Sequence, residues 1–183
     1  MPQQRMSRDE FRRWAQAQPK GRYERVEGEP VPMTPERVAH IQIKNRVWQA
    51  LDRAVRVAEL DCQALGDGLT VEIDAQTDYE PDAVVNCGPP LPLDAVAATN
   101  PVVVVEVLSP STQSLDAGDK LADYFRLSCI RHYLMVRTRR REVVHHERLG
   151  DRIETRVVTA GSIALDPPGL TVAIEDFYAD LPL

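Results

Sequence analysis

Apolar residues form an unbroken run at Val102-Val103-Val104-Val105-Glu106-Val107-Leu108, the pattern of a strand buried on both faces. Other segments are patterned more weakly. Ser7-Arg8-Asp9-Glu10 is a capping box that opens a helix through about Ala17, stopped by Pro19. Tyr23 to Val26 and Pro30 to Met33 flank Glu27-Gly28, which predicts a β-hairpin. Thr34-Pro35-Glu36 supplies an N-cap, a first-turn proline and a first-turn acid for a helix from Pro35 to about Leu60. On that helix Val38, Ile41, Val47, Trp48, Leu51, Val55 and Ala58 share a face, with His40 inside the arc and Glu36 at its edge. Further strands are predicted at Leu69 to Asp74, from Pro81-Asp82 to the turn at Gly88-Pro89, and at Arg131 to Val136. Glu142 to Arg148 and Ile153 to Thr159 pair across Gly150-Asp151. A helix from about Leu115 to Ser128 follows the buried strand, and Leu170 to Ile174 with a short helix at Asp176 to Tyr178 closes the chain.

Composition narrows the class. With 43% hydrophobic and 27% charged residues the chain is an ordinary globular protein, and 183 residues are consistent with one domain: an N-terminal helix in 1–20 and a core in 21–183. The net charge of −6 argues against indiscriminate coating of nucleic acid, which needs Lys and Arg. Cys62, Cys87 and Cys129 have no C-x-x-C spacing and are read as reduced thiols. No segment reaches membrane-spanning length and no signal-peptide core stands at the N-terminus, so a cytoplasmic protein without membrane contact is expected.

The chemistry lies around the buried run. A carboxylate at Glu106, flanked by valines, must be protonated, hydrogen-bonded, ion-paired or metal-bound. Asp82 stands at the head of another apolar run, and Lys120 follows Glu106 by fourteen residues, near the start of a helix. Two acids on neighbouring strands with a lysine nearby are what metal-dependent phosphodiester cleavage requires. His40 and Glu36 are placed to support the acids, and Tyr124, on the face of Asp116 and Lys120, to pack against or orient the lysine.

Tyr23-Glu24, Gly28-Glu29, Pro81-Asp82 and Val105-Glu106-Val107-Leu108-Ser109-Pro110-Ser111-Thr112, followed by Asp116, Lys120 and Tyr124, closely resemble the Uma2 family over residues 7 to 180. That family is assigned to the restriction-endonuclease-like PD-(D/E)XK superfamily. The resemblance implies an α/β (α+β) fold, a central mixed sheet flanked by helices. It also implies a Mg²⁺ (or Mn²⁺) site on Asp82, Glu106 and the backbone carbonyl of Val107, with Asp82, Glu106 and Lys120 catalytic. The usual lysine position, two after the second acid, is Leu108, so Lys120 is read as a migrated replacement. The implied partner is nucleic acid, DNA more than RNA, and a homodimer is expected by analogy.

Each residue also has a plainer reading. Asp82 could cap a turn, Lys120 could pair with Asp116, and His40 could be a hydrogen-bonded core histidine. Ser109, Ser111 and Thr112 lack a G-x-S-x-G elbow, which disfavours a serine hydrolase. His145 and His146 point to opposite faces of a strand and do not readily share a metal. The cluster Arg137, Arg139, Arg140 and Arg141 reads as a solvated hairpin, with phosphate contact by Arg139, Arg140 and Arg141 as the functional option. A metal-dependent nuclease is therefore the first reading. A nuclease fold that binds nucleic acid or regulates without cleavage is the second.

Overall fold

In the computed structural model, which describes residues 5–108 and 117–183, the buried run becomes a central strand. In chain order the elements are α1 (Arg8–Gln16), β1 (Tyr23–Val26), β2 (Glu29–Pro32), α2 (Val38–Val57), β3 (Cys62–Gly66), β4 (Val71–Glu72), β5 (Asp78–Tyr79) and β6 (Ala83–Cys87). They continue with β7 (Pro101–Leu108), α3 (Ala117–Tyr124), β8 (His132–Arg137), β9 (Val143–Leu149), β10 (Arg152–Val158), β11 (Ser162–Leu165), β12 (Leu170–Ala173) and α4 (Ile174–Phe177). The main sheet is six-stranded, in the order β10-β9-β8-β7-β6-β3. Only β7 and β8 run parallel in it, with α3 between them in the chain, so the sheet is mixed.

Alternation along β7 divides the core. Val103, Val105 and Val107 pack with Ile43, Val47 and Leu51 of α2, while Val104 and Leu108 pack with Tyr124 and Tyr133 on the other face. Glu106 belongs by alternation to this second face. A smaller sheet, β2-β1-β5-β4, carries the predicted hairpin, with Glu27 and Gly28 both at positive φ in its two-residue turn. Its anchor is the fully buried Arg25, whose guanidinium lies 2.7 Å from Asp78; Arg8 of α1 reaches the same carboxylate at 2.7 Å. The Ser7–Glu10 capping box forms as predicted.

Several expectations are corrected. The long helix begins at Val38, with Arg37 extended as its N-cap, so Thr34, Pro35 and Glu36 lie outside it. Its buried face is rotated: Val47, Leu51 and Val55 turn inward as predicted, but Ile43, Lys44 and Ala50 join them, whereas Val38, Ile41 and Trp48 remain exposed. Trp48 gains a hydrogen bond to the Ala64 carbonyl from that position, so its indole N–H is satisfied at the sheet edge. The strand expected over Leu69 to Asp74 shrinks to β4. The helix expected over Leu115 to Ser128 ends at Tyr124 in turns; Leu115 and Asp116 lie outside the described residues, as do Ser109, Ser111 and Thr112.

The cysteines are a further correction. Cys62 and Cys87 are antiparallel partners across β3 and β6 with Cα atoms 4.0 Å apart, and they form a disulfide; Cys129 is free. Strand register creates that proximity, and no sequence spacing announces it. No described helix is long and apolar enough to cross a membrane.

Candidate active site

Asp82 immediately precedes β6. Because Ala83 pairs with Val105 in antiparallel register, Asp82 stands level with Glu106 on the neighbouring strand. The Val107 amide donates to Asp82 Oδ2 at 2.6 Å, fixing the carboxylate against the β7 backbone. A charge-assisted bond of this kind positions the acid without neutralising it.

Glu106 is met from α3. Lys120 Nζ lies 3.1 Å and the Tyr124 hydroxyl 2.8 Å from Glu106 Oε1, one helical turn apart. Burial pushes the Glu106 carboxyl up, and the Asp82 and Glu24 charges add to the push. Lys120 and Tyr124 oppose it, and the pKa comes to rest at about 7. Lys120 is itself buried, which works against its charge, but Glu106 and Glu24 outweigh burial and hold the ammonium above the ordinary lysine range. Its amine also lies over the Tyr79 ring, 4.8 Å from the centroid.

A second set of groups faces Asp82 from α2 and the segment before it. His40 Nε2 is 3.4 Å from Asp82 Oδ1, and one donor atom each from Glu36, His40 and Asp82 lie within 4.8 Å of one another. Burial lowers the His40 pKa, but Asp82 and Glu36 more than compensate and leave it raised. Lys44, one turn beyond His40, touches both Glu36 carboxylate oxygens at 2.6 Å and Asp67 at 3.0 Å.

Asp82, Glu106, Val107, Lys120, His40 and Glu36 line one cleft of about 210 Å³. Tyr124 lies behind it, fully buried, donating to Glu106. Arg139, Arg140 and Arg141 are exposed and none lines the cleft. They do occupy the same end of the sheet, because Thr138 is hydrogen-bonded through N and Oγ1 to the Leu108 carbonyl. Arg140 pairs with Glu142 at 2.7 Å. His145 and His146 separate as expected: His145 contacts His132 at 2.9 Å on one face, and His146 contacts Thr155 at 2.8 Å on the other.

Two site residues were not foreseen. Glu24 on β1, buried, accepts from Lys120 and from the Glu80 amide, both at 2.9 Å. Glu24 stands in the Tyr23-Glu24 part of the family motif, which is the signal that flags it, but no local spacing pairs it with a lysine ninety-six positions away. Lys44 was legible in principle, since Glu36, His40 and Lys44 recur every four residues. The apolar stripe read through Ile41, Val47 and Trp48 leaves Lys44 off the predicted buried face.

A mixed sheet flanked by helices, with two acids and a lysine meeting in one cleft, has the fold of restriction-endonuclease-like proteins. The chain belongs to the Uma2 family, whose model, described as "putative restriction endonuclease", matches residues 8–179. It is 31% identical over 124 residues to an uncharacterised protein, slr1290, of Synechocystis; the match covers 66% of this chain and 65% of that protein. A solved structure described as a "putative nuclease" of the DUF820 group, from Anabaena variabilis, superposes with a TM-score of 0.73 at 16% identity, covering 95% of this chain and 98% of that one. That likeness establishes the fold.

Proposed function

We propose that the chain is a divalent-metal-dependent nuclease that hydrolyses nucleic-acid phosphodiester bonds, DNA in preference to RNA. The observation that carries this reading is the convergence of Asp82, Glu106 and Lys120, from three separate elements, on one cleft. Among the described residues, the direct cationic partners of Glu24, Glu36, Asp67, Glu80, Asp82 and Glu106 are Arg22, Lys44, Lys120 and His40. An oxygen-rich site with surplus negative charge fits a hard divalent ion such as Mg²⁺ or Mn²⁺.

Asp82 and Glu106 would hold the ion, with the Val107 carbonyl as a further donor and His40 and Glu36 in support. Bound there, it would supply Lewis-acid activation of a water and neutralisation of phosphate charge. The Val107 amide keeps Asp82 in one rotamer, and Tyr124 does the same for Glu106. Glu24 anchors Lys120, whose ammonium is thereby held where it can stabilise charge developing on the phosphate. Lys120 thus takes the role that Leu108 cannot fill. Arg139, Arg140 and Arg141, at the same sheet end, are read as contacts for flanking phosphates. Two copies acting as a homodimer would address both strands of a duplex. On this reading we place the protein in the cytoplasm, a compartment in which the Cys62–Cys87 bridge would face reduction.

The test is a calorimetric Mn²⁺ titration at pH 8 of wild type, Asp82→Asn and Glu106→Gln, each checked for folding by circular dichroism. A cleavage screen over single- and double-stranded DNA and RNA follows. Saturable binding and cleavage, both lost in the two variants, are expected. Metal-independent nucleic-acid binding that needs the arginine cluster, without cleavage by folded wild type, would overturn the nuclease reading in favour of a non-catalytic module.

A further inference from the structure

Lys44 is a buried cation with an unusual set of partners. Its ammonium lies 2.6 Å from both oxygens of Glu36, 3.0 Å from Asp67 Oδ2 and 3.8 Å from Asp82 Oδ1. An ammonium has three N–H donors, and the two Glu36 oxygens and Asp67 match that number. The carboxylates it gathers include two of the three groups, Glu36, His40 and Asp82, whose donor atoms lie close enough to hold a metal ion. A divalent ion on these carboxylates would need their oxygens at roughly 2.0–2.6 Å, which sets it a few ångströms from the Lys44 ammonium, and repulsion between the two charges opposes its binding.

We infer that Lys44 is an internal cation occupying what would otherwise be a second metal position, so that the cleft takes a single divalent ion. The inference rests on the metal-dependent reading above for the ion at Asp82 and Glu106. It concerns a different position, on the α2 side of Asp82. Three features support it. Lys44 is carried on α2, which packs against the core through Ile43, Val47 and Leu51 and so presents the amine from a fixed backbone. Its side chain is only 8% exposed, so solvent does not compete for its donors. Its charge also reaches Asp82, the acid common to both sides of the cleft, without a hydrogen bond that would close Oδ1 to other partners. Lys44 is thus a positioning residue: it sets how many ions the site accepts.

The experiment is Mn²⁺ stoichiometry, by calorimetry with electron paramagnetic resonance of free Mn²⁺, on wild type, Lys44→Gln and Lys44→Gln/Glu36→Gln. One ion in wild type, two in Lys44→Gln and one again in the double variant is the expected result. Two ions in wild type would overturn the inference, as would a folded Lys44→Gln that gains none. If wild type binds no ion but Lys44→Gln binds one that Glu36→Gln removes, the inference stands while the nuclease reading loses its metal. If Lys44→Gln is unstable because its carboxylates now face one another, added Mn²⁺ should raise its Tm and added Na⁺ at equal ionic strength should not. Failure of Mn²⁺ to do so would overturn the inference.

Discussion

Glu106→Gln should stabilise the metal-free protein above neutral pH, and the size of the effect can be worked from the site. The Glu106 carboxyl is pushed up to about 7 in the folded chain from an ordinary value of 4.5, chiefly because it is buried. A group whose folded pKa is raised binds more protons in the native state, so between these values stability falls as pH rises. The interval of about 2.5 units corresponds to roughly 3 kcal/mol lost by pH 8, of which about 2 kcal/mol falls between pH 5 and pH 7.5. Gln reproduces the protonated acid: its carbonyl can accept from Lys120 and Tyr124 as Glu106 Oε1 does, and it carries no charge to desolvate. The variant should therefore match wild type near pH 4.5 and exceed it by about 3 kcal/mol at pH 8. Urea unfolding in EDTA across that range measures it. The readout must be the difference between the two proteins, because the buried His132 and His145 titrate in the same window with opposite sign. A difference that does not vary with pH, or a variant less stable than wild type at pH 8, would refute the electrostatic account of the site.

Lys120→Met removes the ammonium that sits against Glu106. It should bind Mn²⁺ at least as tightly as wild type while slowing cleavage by about 10²-fold, measured by titration and single-turnover assay on one substrate. Burial lowers both His132 and His145 to about 4. Each therefore contributes stability present above the unfolded value near 6.5 and lost as pH falls towards 4. His132→Leu/His145→Leu should lack that component of acid unfolding, and equal steepness of the two pH–stability curves would argue against it. Asp78→Ala strands the fully buried Arg25 and should cost about 3–5 kcal/mol in urea unfolding without altering Mn²⁺ binding.

Local patterns carried much of this architecture. The capping box at Ser7, the Glu27-Gly28 turn and the double-sided burial of the Val102–Leu108 run depend on residues near each other in sequence, and all three formed as their chemistry predicts. Glu106 drew notice for the same reason: a carboxylate among valines requires a partner, and Lys120 and Tyr124 were near enough in sequence to be named. The rest depended on which surfaces meet. Apolar residues on α2 occupy more than one face, so periodicity grouped Val38, Ile41 and Trp48 with Val47, Leu51 and Val55; the helix buries the last three as predicted, together with Ile43, and leaves the first three exposed. That rotation is what brings Lys44 beside Glu36 and Asp67. Strand register, fixed by pairing across the whole β3–β6 ladder, put Cys62 opposite Cys87, and the fold of the small sheet carried Glu24 to Lys120. Side-chain chemistry specified that the buried charges need partners. The packing of helix on sheet and the register of strands chose them, because those contacts join residues that no local period relates.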